Sequence, residues 1–428
     1  MSDIIVKRRE QFRTEIRKQN LEKEFSKKRF EKCNLIQDLN ECNNLIDFEL
    51  KYKDQIENQI QLILQNPDNQ NLEKLIQLVQ QLSAKYSVYI IDHNVYKTLK
   101  HNDLDLNLCL NLMCNLCVEP TVVKHIFSDQ IQKERLTQYL NLISGNLFEE
   151  HRKLYWEFML ILSNSAHTPF PFLKQVFLIC CEELIQCRNS TTQMQIRILP
   201  HLIQKYPQAN QFYWEALNSA NSEDRRPWKC LLHFLKQPNS DFFCCDQLLL
   251  AIHYLVQHAI SKTYYEQIVT SELMFVLQSN LYRHERTMVR STKLLFMIFE
   301  ENDTYFKFIN DDLIKLLKIT FIDGQIEILK LLEIVLRKRQ HFLQLMDQYH
   351  LLDMLFDILR QDISTTMNYV TLNCIALSLF QCAEIERYQK YIQMQSSTFK
   401  DILERFVYDT NKSVQQTTEY LLRAYFEK

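Results

Sequence analysis

Asp246-Gln247-Leu248-Leu249-Leu250-Ala251-Ile252-His253-Tyr254-Leu255-Val256-Gln257-His258 is the stretch on which the fold turns. It has polar ends and an interior too apolar to leave a broad face for water, so it reads as the innermost helix of a layered helical body. Strongly apolar blocks of the same kind recur near residues 104–118, 152–166, 209–219, 287–300, 325–337, 369–383 and 412–426. Their mean spacing is about 44 residues, the period of units built from two or three helices. Such units bury their apolar faces only against neighbours, which gives a right-handed superhelix with a long concave groove.

Composition points the same way. Gly145 and Gly324 are the chain's two glycines, and the breaks between blocks use Asn, Asp, Ser or Pro instead, as in Asn66-Pro67-Asp68-Asn69. Sheets and phosphate loops lean on glycine for tight turns and close backbone approach, so an all-α chain is expected and nucleotide-binding folds are excluded. The period fits an armadillo/HEAT-like solenoid of about eight to nine repeats over residues 55–428.

No run reaches the roughly 18 apolar residues a spanning helix needs, so no membrane insertion is expected. The 13 cysteines are scattered, with adjacent pairs at Cys180-Cys181 and Cys244-Cys245. That suits buried thiols in a reducing compartment better than a secreted disulfide framework. Cys114-Asn115-Leu116-Cys117 has the spacing of half a zinc site but no second pair. The 12 histidines form no metal-binding group, and no nucleophile–base motif stands out. We therefore expect no metal, no cofactor and no enzymatic activity.

The N-terminal residues 1–32 differ in kind. They carry 11 Lys/Arg against 6 Asp/Glu, whereas residues 33–428 carry 39 against 46. A cationic arm on an anionic body predicts an acidic partner for the arm, or an arm folded back on its own body. The near-neutral total, −2, argues against wholesale nucleic-acid binding. From Lys7 to Lys32 helix formers dominate, with the pairs Phe12/Ile16 and Leu21/Phe25 on opposite sides. A helix apolar on two sides suits enclosure by a partner. Residues 33–54 are Asn-rich and weakly periodic, and read as a linker.

The arm resembles the importin-beta-binding domain of the importin alpha family. It has a basic cluster (Lys7-Arg8-Arg9), a helix with Arg17-Lys18 in its middle, and a closing cluster (Lys27-Lys28-Arg29). The body is similar to that family's armadillo repeats, whose third helices carry Trp-x-x-x-Asn along the groove for nuclear localisation signals. The pair is complete once, at Trp214-Glu215-Ala216-Leu217-Asn218; Asn111-x-x-x-Asn115 and Leu160-x-x-x-Asn164 keep the asparagine alone. At i,i+4 the two side chains share one helical face: the amide serves a peptide backbone, and stacked indoles hold Lys or Arg stems. Tyr254 stands where the family's next repeat has tyrosine.

The resemblance implies a nuclear import adaptor shuttling between cytoplasm and nucleus. Arg8, Arg9, Arg13, Arg17, Lys18, Lys27, Lys28 and Arg29 would dock on importin beta, and Asn115, Asn164, Trp214, Asn218 and Tyr254 would line a cargo groove for proteins bearing basic localisation signals. It also implies that the Lys27–Arg29 cluster occupies the groove in cis until importin beta takes the arm. The minor peptide site departs from the pattern, with Lys330/Ile334 and Asn373/Leu377 in place of the tryptophan–asparagine pairs, and is expected to be lost. The family's acidic C-terminal tail is missing, which weakens the implied contact with the export receptor. The alternative is a non-enzymatic armadillo scaffold subunit of a large assembly that has lost cargo binding.

Overall fold

The computed structural model describes residues 54–426 except 64, 67, 82–89, 92–103, 119, 146–148, 186–188, 220–225, 239, 260, 303–313, 318–320 and 338. The basic arm and residues 33–53 of the expected 33–54 linker, with all eight expected importin-beta-docking residues, lie outside the described residues. Among those described, every regular element is a helix. The chain divides into two compact units, Met1–Asp105 and Leu106–Lys428.

In the first unit, a helix over 54–63 is followed by α1 (Asn69–Gln81). Ile56, Ile60 and Ile63, and Leu72, Leu75, Ile76 and Val79, are buried at helical spacing. The Gln59 amide donates to the Asn71 carbonyl at 2.9 Å, and the Asn69 side chain accepts from the Asp105 amide at 2.8 Å.

The second unit is a helical solenoid. Its helices are α2 (Leu106–Cys117), α3 (Pro120–Ser128), α4 (Gln130–Gly145), α5 (Glu149–Asn164), α6 (Phe170–Ile185) and α7 (Asn189–Lys205), then α8 (Asn210–Asn218), α9 (Pro227–Lys236), α10 (Phe242–Gln257), α11 (Lys262–Ile268), α12 (Ser271–Asn280) and α13 (Glu285–Glu301). They continue as α14 (Ile322–Leu336), α15 (Arg339–Tyr349), α16 (Leu351–Arg360), α17 (Thr365–Cys382), α18 (Glu386–Glu404) and α19 (Lys412–Leu421), closed by a π-helical turn, Leu422–Phe426.

One continuous stack runs α2, α5, α7, α10, α13, α14, α17, α19, each helix packing on the next. Their starts are about 44 residues apart on average, the period expected from sequence. A second layer, in which α6, α9 and α12 pack in turn, covers one side of it. The quoted stretch is α10, buried through Leu248, Leu249, Ala251, Ile252, Leu255 and Val256.

With glycine so rare, polar side chains begin the helices. The side chains of Asp241, Ser261, Thr270 and Ser364 accept from the amides of Cys244, Tyr264, Leu273 and Met367. His284 and Thr287 form a reciprocal capping box. Each cap satisfies one of the amides that a helix start leaves without an internal partner. Where the backbone turns left-handed it uses His350 (φ 51°) and Asp362 (φ 45°). Asp362 is stabilised there, its carboxylate accepting from Asn368 Nδ2 at 2.6 Å.

One expected block is not a stack helix. The 209–219 block is α8, which packs on α6 and α9 in the second layer. The stack position belongs to α7, which joins α5 to α10. Its opening Asn189-Ser190-Thr191-Thr192-Gln193 is polar and Pro200 interrupts its hydrogen-bond ladder, so it lacks the look of an innermost helix. Ile196, Ile198, Leu199, Leu202 and Ile203 are nonetheless wholly buried.

Candidate functional site

The five residues expected to line a groove divide between the two layers. Asn115 sits on α2, Asn164 ends α5, and Tyr254 lies on α10; all three belong to stack helices. Asn164 is exposed and the other two are half-buried. The Asn115 amide donates to the Asn111 carbonyl and to Asn111 Oδ1, both at 2.8 Å, so its carbonyl oxygen is the group it presents outward. Beside Asn164, the Lys205 ammonium donates to the carbonyls of Ser163 and Ser165 at the end of α5. Burial pulls that ammonium down to about 8 from an ordinary 10.5.

Trp214 and Asn218 are elsewhere. Both lie on α8, so the one complete Trp-x-x-x-Asn pair is not in the stack. Trp214 is only 3% exposed. Its indole packs edge-on against Trp228 at 5.1 Å and donates to Gln267 Oε1 at 3.0 Å. An indole so enclosed leaves no slot for a lysine stem, so Trp214 belongs to the core. Asn218 accepts from Arg226 Nη1, just before α9, at 3.2 Å. On α7, which holds the stack position, Arg197 and His201 are among the partly accessible residues.

Trp156 and Trp228 are packing residues, both buried. The Trp156 indole joins a cross-helix network centred on Glu183 of α6. Glu183 accepts from Arg152 at 2.7 Å, from Trp156 Nε1 at 2.9 Å and from Gln195 Nε2 at 2.6 Å, tying α5, α6 and α7 together. Two buried asparagines link units at the repeat distance: Asn210 Nδ2 donates to the Leu255 carbonyl at 3.0 Å and Asn280 Nδ2 to the Leu235 carbonyl at 3.3 Å. Sequence spacing alone did not single these out, because an asparagine serving a neighbour's backbone and one serving a ligand look identical in a helix.

Further along the stack, Lys330 bonds Glu327 at 2.9 Å and Ile334 is buried, while Asn373 and Leu377 are partly accessible on α17. The Cys114 thiol is raised to about 12, chiefly by burial and then by Glu157; Cys117 is raised too, by burial and then Cys114. Neither is a ready thiolate for a metal. Among the described residues no His/Cys/Asp/Glu cluster of three or more could hold a metal ion. Among them, too, no single helix is long and apolar enough to cross a membrane.

Basic side chains on α7 and α13 flank α10. Arg197 lies over the Phe243 ring at 5.2 Å, and Arg286, Arg290 and Lys293 line α13 at helical spacing. His201 is held below its usual range by burial and then by Arg197; His253 by burial, then Arg290, Lys293 and His258. The charges acting on both rings are basic ones.

No family model matches the sequence, and no curated protein matches it. Among solved structures, an engineered protein determined by crystallography is similar, with a TM-score of 0.51 at 15% identity over 86% of this chain and 98% of that one. UNC-45 from Drosophila melanogaster has a TM-score of 0.49 at 11% identity over 86% of this chain; the chain spans about half of its length, 48%. At such identities the likeness is one of fold. The class defined by the stack is therefore an all-α, armadillo/HEAT-like helical-repeat solenoid.

Proposed function

We propose that the chain is a non-enzymatic adaptor that docks importin beta through its basic arm and holds an extended segment of a partner protein on the exposed face of its stacked helices, shuttling between cytoplasm and nucleus. The observation that carries the second half is the placement of Asn115, Asn164 and Tyr254 on stack helices with accessible side chains. Groups repeated from helix to helix along a solenoid suit an extended ligand, which meets one repeat after another. The arm's three basic clusters support the first half.

The test uses full-length protein against importin beta and against a labelled basic localisation-signal peptide. Lys27→Gln, Lys28→Gln and Arg29→Gln together should weaken importin beta binding at least tenfold, and the triple variant Asn115→Ala, Asn164→Ala, Tyr254→Phe should weaken the peptide. Unchanged affinity in either arm of the experiment removes that half of the reading.

A second reading is favoured by the position of Trp214. With the complete tryptophan–asparagine pair in the second layer and its indole enclosed, the family's peptide ladder is interrupted, as in a scaffold subunit without signal-dependent cargo. In that case the peptide arm of the experiment shows no binding even by the unaltered chain, while importin beta still binds.

A further inference from the structure

We propose that the outward face of α7, α10 and α13 is a docking strip for an acidic, extended segment of a partner protein, gripped by Arg197, Arg286, Arg290 and Lys293. This rests on the adaptor reading for the existence of a partner segment on the stack face; it places an acidic segment at α7, α10 and α13, beside the section of α2 and α5 where Asn115 and Asn164 would meet a basic signal. The three helices are consecutive in the stack, so their outward faces are contiguous. Arg197 is paired with a ring, that of Phe243, rather than with a carboxylate. Arg286 is exposed; the adjacent Glu285 feels its charge. Among the described residues neither arginine has an ion pair.

The remaining two cations are partly balanced. Arg290 Nε bonds Asp246 at 3.1 Å, and Lys293 shares Glu327, at 3.8 Å, with Lys330. Guanidinium groups with unused donors on a half-enclosed face are the side chains best suited to planar carboxylates. His201 and His253 are held below their ordinary range first by burial; the charges that act on them besides are basic, Arg197 on the one and Arg290, Lys293 and His258 on the other.

Acidic side chains lie beside the strip: Asp323 acts on Glu285, the neighbour of Arg286, and Glu300 and Glu301 end α13. Arg197 lies over Phe243 and Arg290 bonds Asp246, three residues on along α10, so the two guanidinium groups flank one turn of that helix. Phe243, between them, offers an apolar contact. A nucleic acid fits less well, because residues 33–428 carry an excess of acidic side chains that would repel a long polyanion.

The test uses the full chain and three labelled peptides of one length: one carrying several glutamates, its Gln-for-Glu twin and its Lys-for-Glu twin, each with a benzophenone crosslinker. A single-stranded oligonucleotide is the fourth probe. The Glu peptide should bind at least tenfold more tightly than the Gln twin in low salt, crosslink within α7, α10 or α13, and lose at least tenfold in affinity in Arg197→Gln/Arg286→Gln/Lys293→Gln. These are exposed or half-exposed positions, and Arg286→Glu alone provides a second, milder variant expected to lose about threefold. Equal binding of the Glu and Gln peptides, crosslinks confined to the arm, tighter oligonucleotide binding at the strip, or unchanged affinity in the variants overturns the proposal. Binding of the Lys peptide to the stack in place of the Glu peptide overturns the acidic assignment but preserves the adaptor reading. Crosslinking of none of the peptides to the stack defeats both.

Discussion

Replacing Glu183 by alanine should loosen one section of the solenoid and leave the rest intact. The Glu183 carboxylate is the shared acceptor for Arg152 of α5, Trp156 of α5 and Gln195 of α7. Its side chain and that of Arg152 are each 13% exposed, so water replaces it poorly. Removing one partner of a buried ion pair costs about 3–5 kcal/mol, since the remaining charge loses its counter-ion without regaining full hydration. The residual exposure places the expected cost at the lower end, about 3 kcal/mol, whereas Glu183→Gln keeps an acceptor and should cost about 1–2 kcal/mol.

A chain of this length built from repeats does not unfold in one step, so a single melting temperature would blur the effect. Native-state hydrogen exchange reads it directly. At about 1.4 kcal/mol per decade, a loss of about 3 kcal/mol accelerates exchange of the protected amides in α5–α7 roughly 150-fold. Exchange in α17, several repeats away, should stay within about threefold of its original rate, because repeats couple mainly to their neighbours. An acceleration below about tenfold in α5–α7, or an equal one in α17, would refute the assignment of Glu183 as a local tie.

Other consequences can be measured alongside. Hydrogen bonds from Lys229 and then Lys236 hold the Glu272 carboxyl below its ordinary 4.5, so its contribution is present above that pH and lost as pH falls through the lower folded value. With the side chain 30% exposed, that contribution is at most about 1 kcal/mol, and the denaturation midpoints of Glu272→Gln and the unaltered chain should converge between pH 5 and 3. His350→Gly should stabilise α15–α16 by up to about 1 kcal/mol in urea titrations, by relieving left-handed strain at a non-glycine residue, whereas Asp362→Gly should gain nothing because it removes the bond from Asn368. His253→Gln should flatten the fall in stability between pH 7 and 5.5: with the folded ring's affinity for protons lowered, the unfolded chain binds more of them as pH drops through 6.5. Burial raises the Cys180 and Cys374 thiols well above their ordinary range, so both should resist iodoacetamide at pH 8 until urea opens their repeats.

The sequence by itself determined the class and period of the fold. Scarce glycine, breaks at Asn, Asp, Ser or Pro, and apolar blocks about 44 residues apart leave a helical-repeat solenoid as the consistent solution, because each block has more apolar surface than a lone helix can hide. It also exposed the arm's basic pattern, which no packing is needed to see. Tertiary structure decided which helix belongs to which layer. Trp214 and Asn218 have the right spacing for one shared face, yet spacing fixes only neighbours on a helix; the direction of that face depends on what packs against it, and α8 turns Trp214 onto Trp228. Conversely, polar-looking α7 enters the stack because its buried row from Ile196 to Ile203 meets α5 on one side and α10 on the other. The cationic strip arises in the same way. Arg197 and Arg290 lie far apart in the chain, and only the stacking of their helices on either side of α10 makes them one surface.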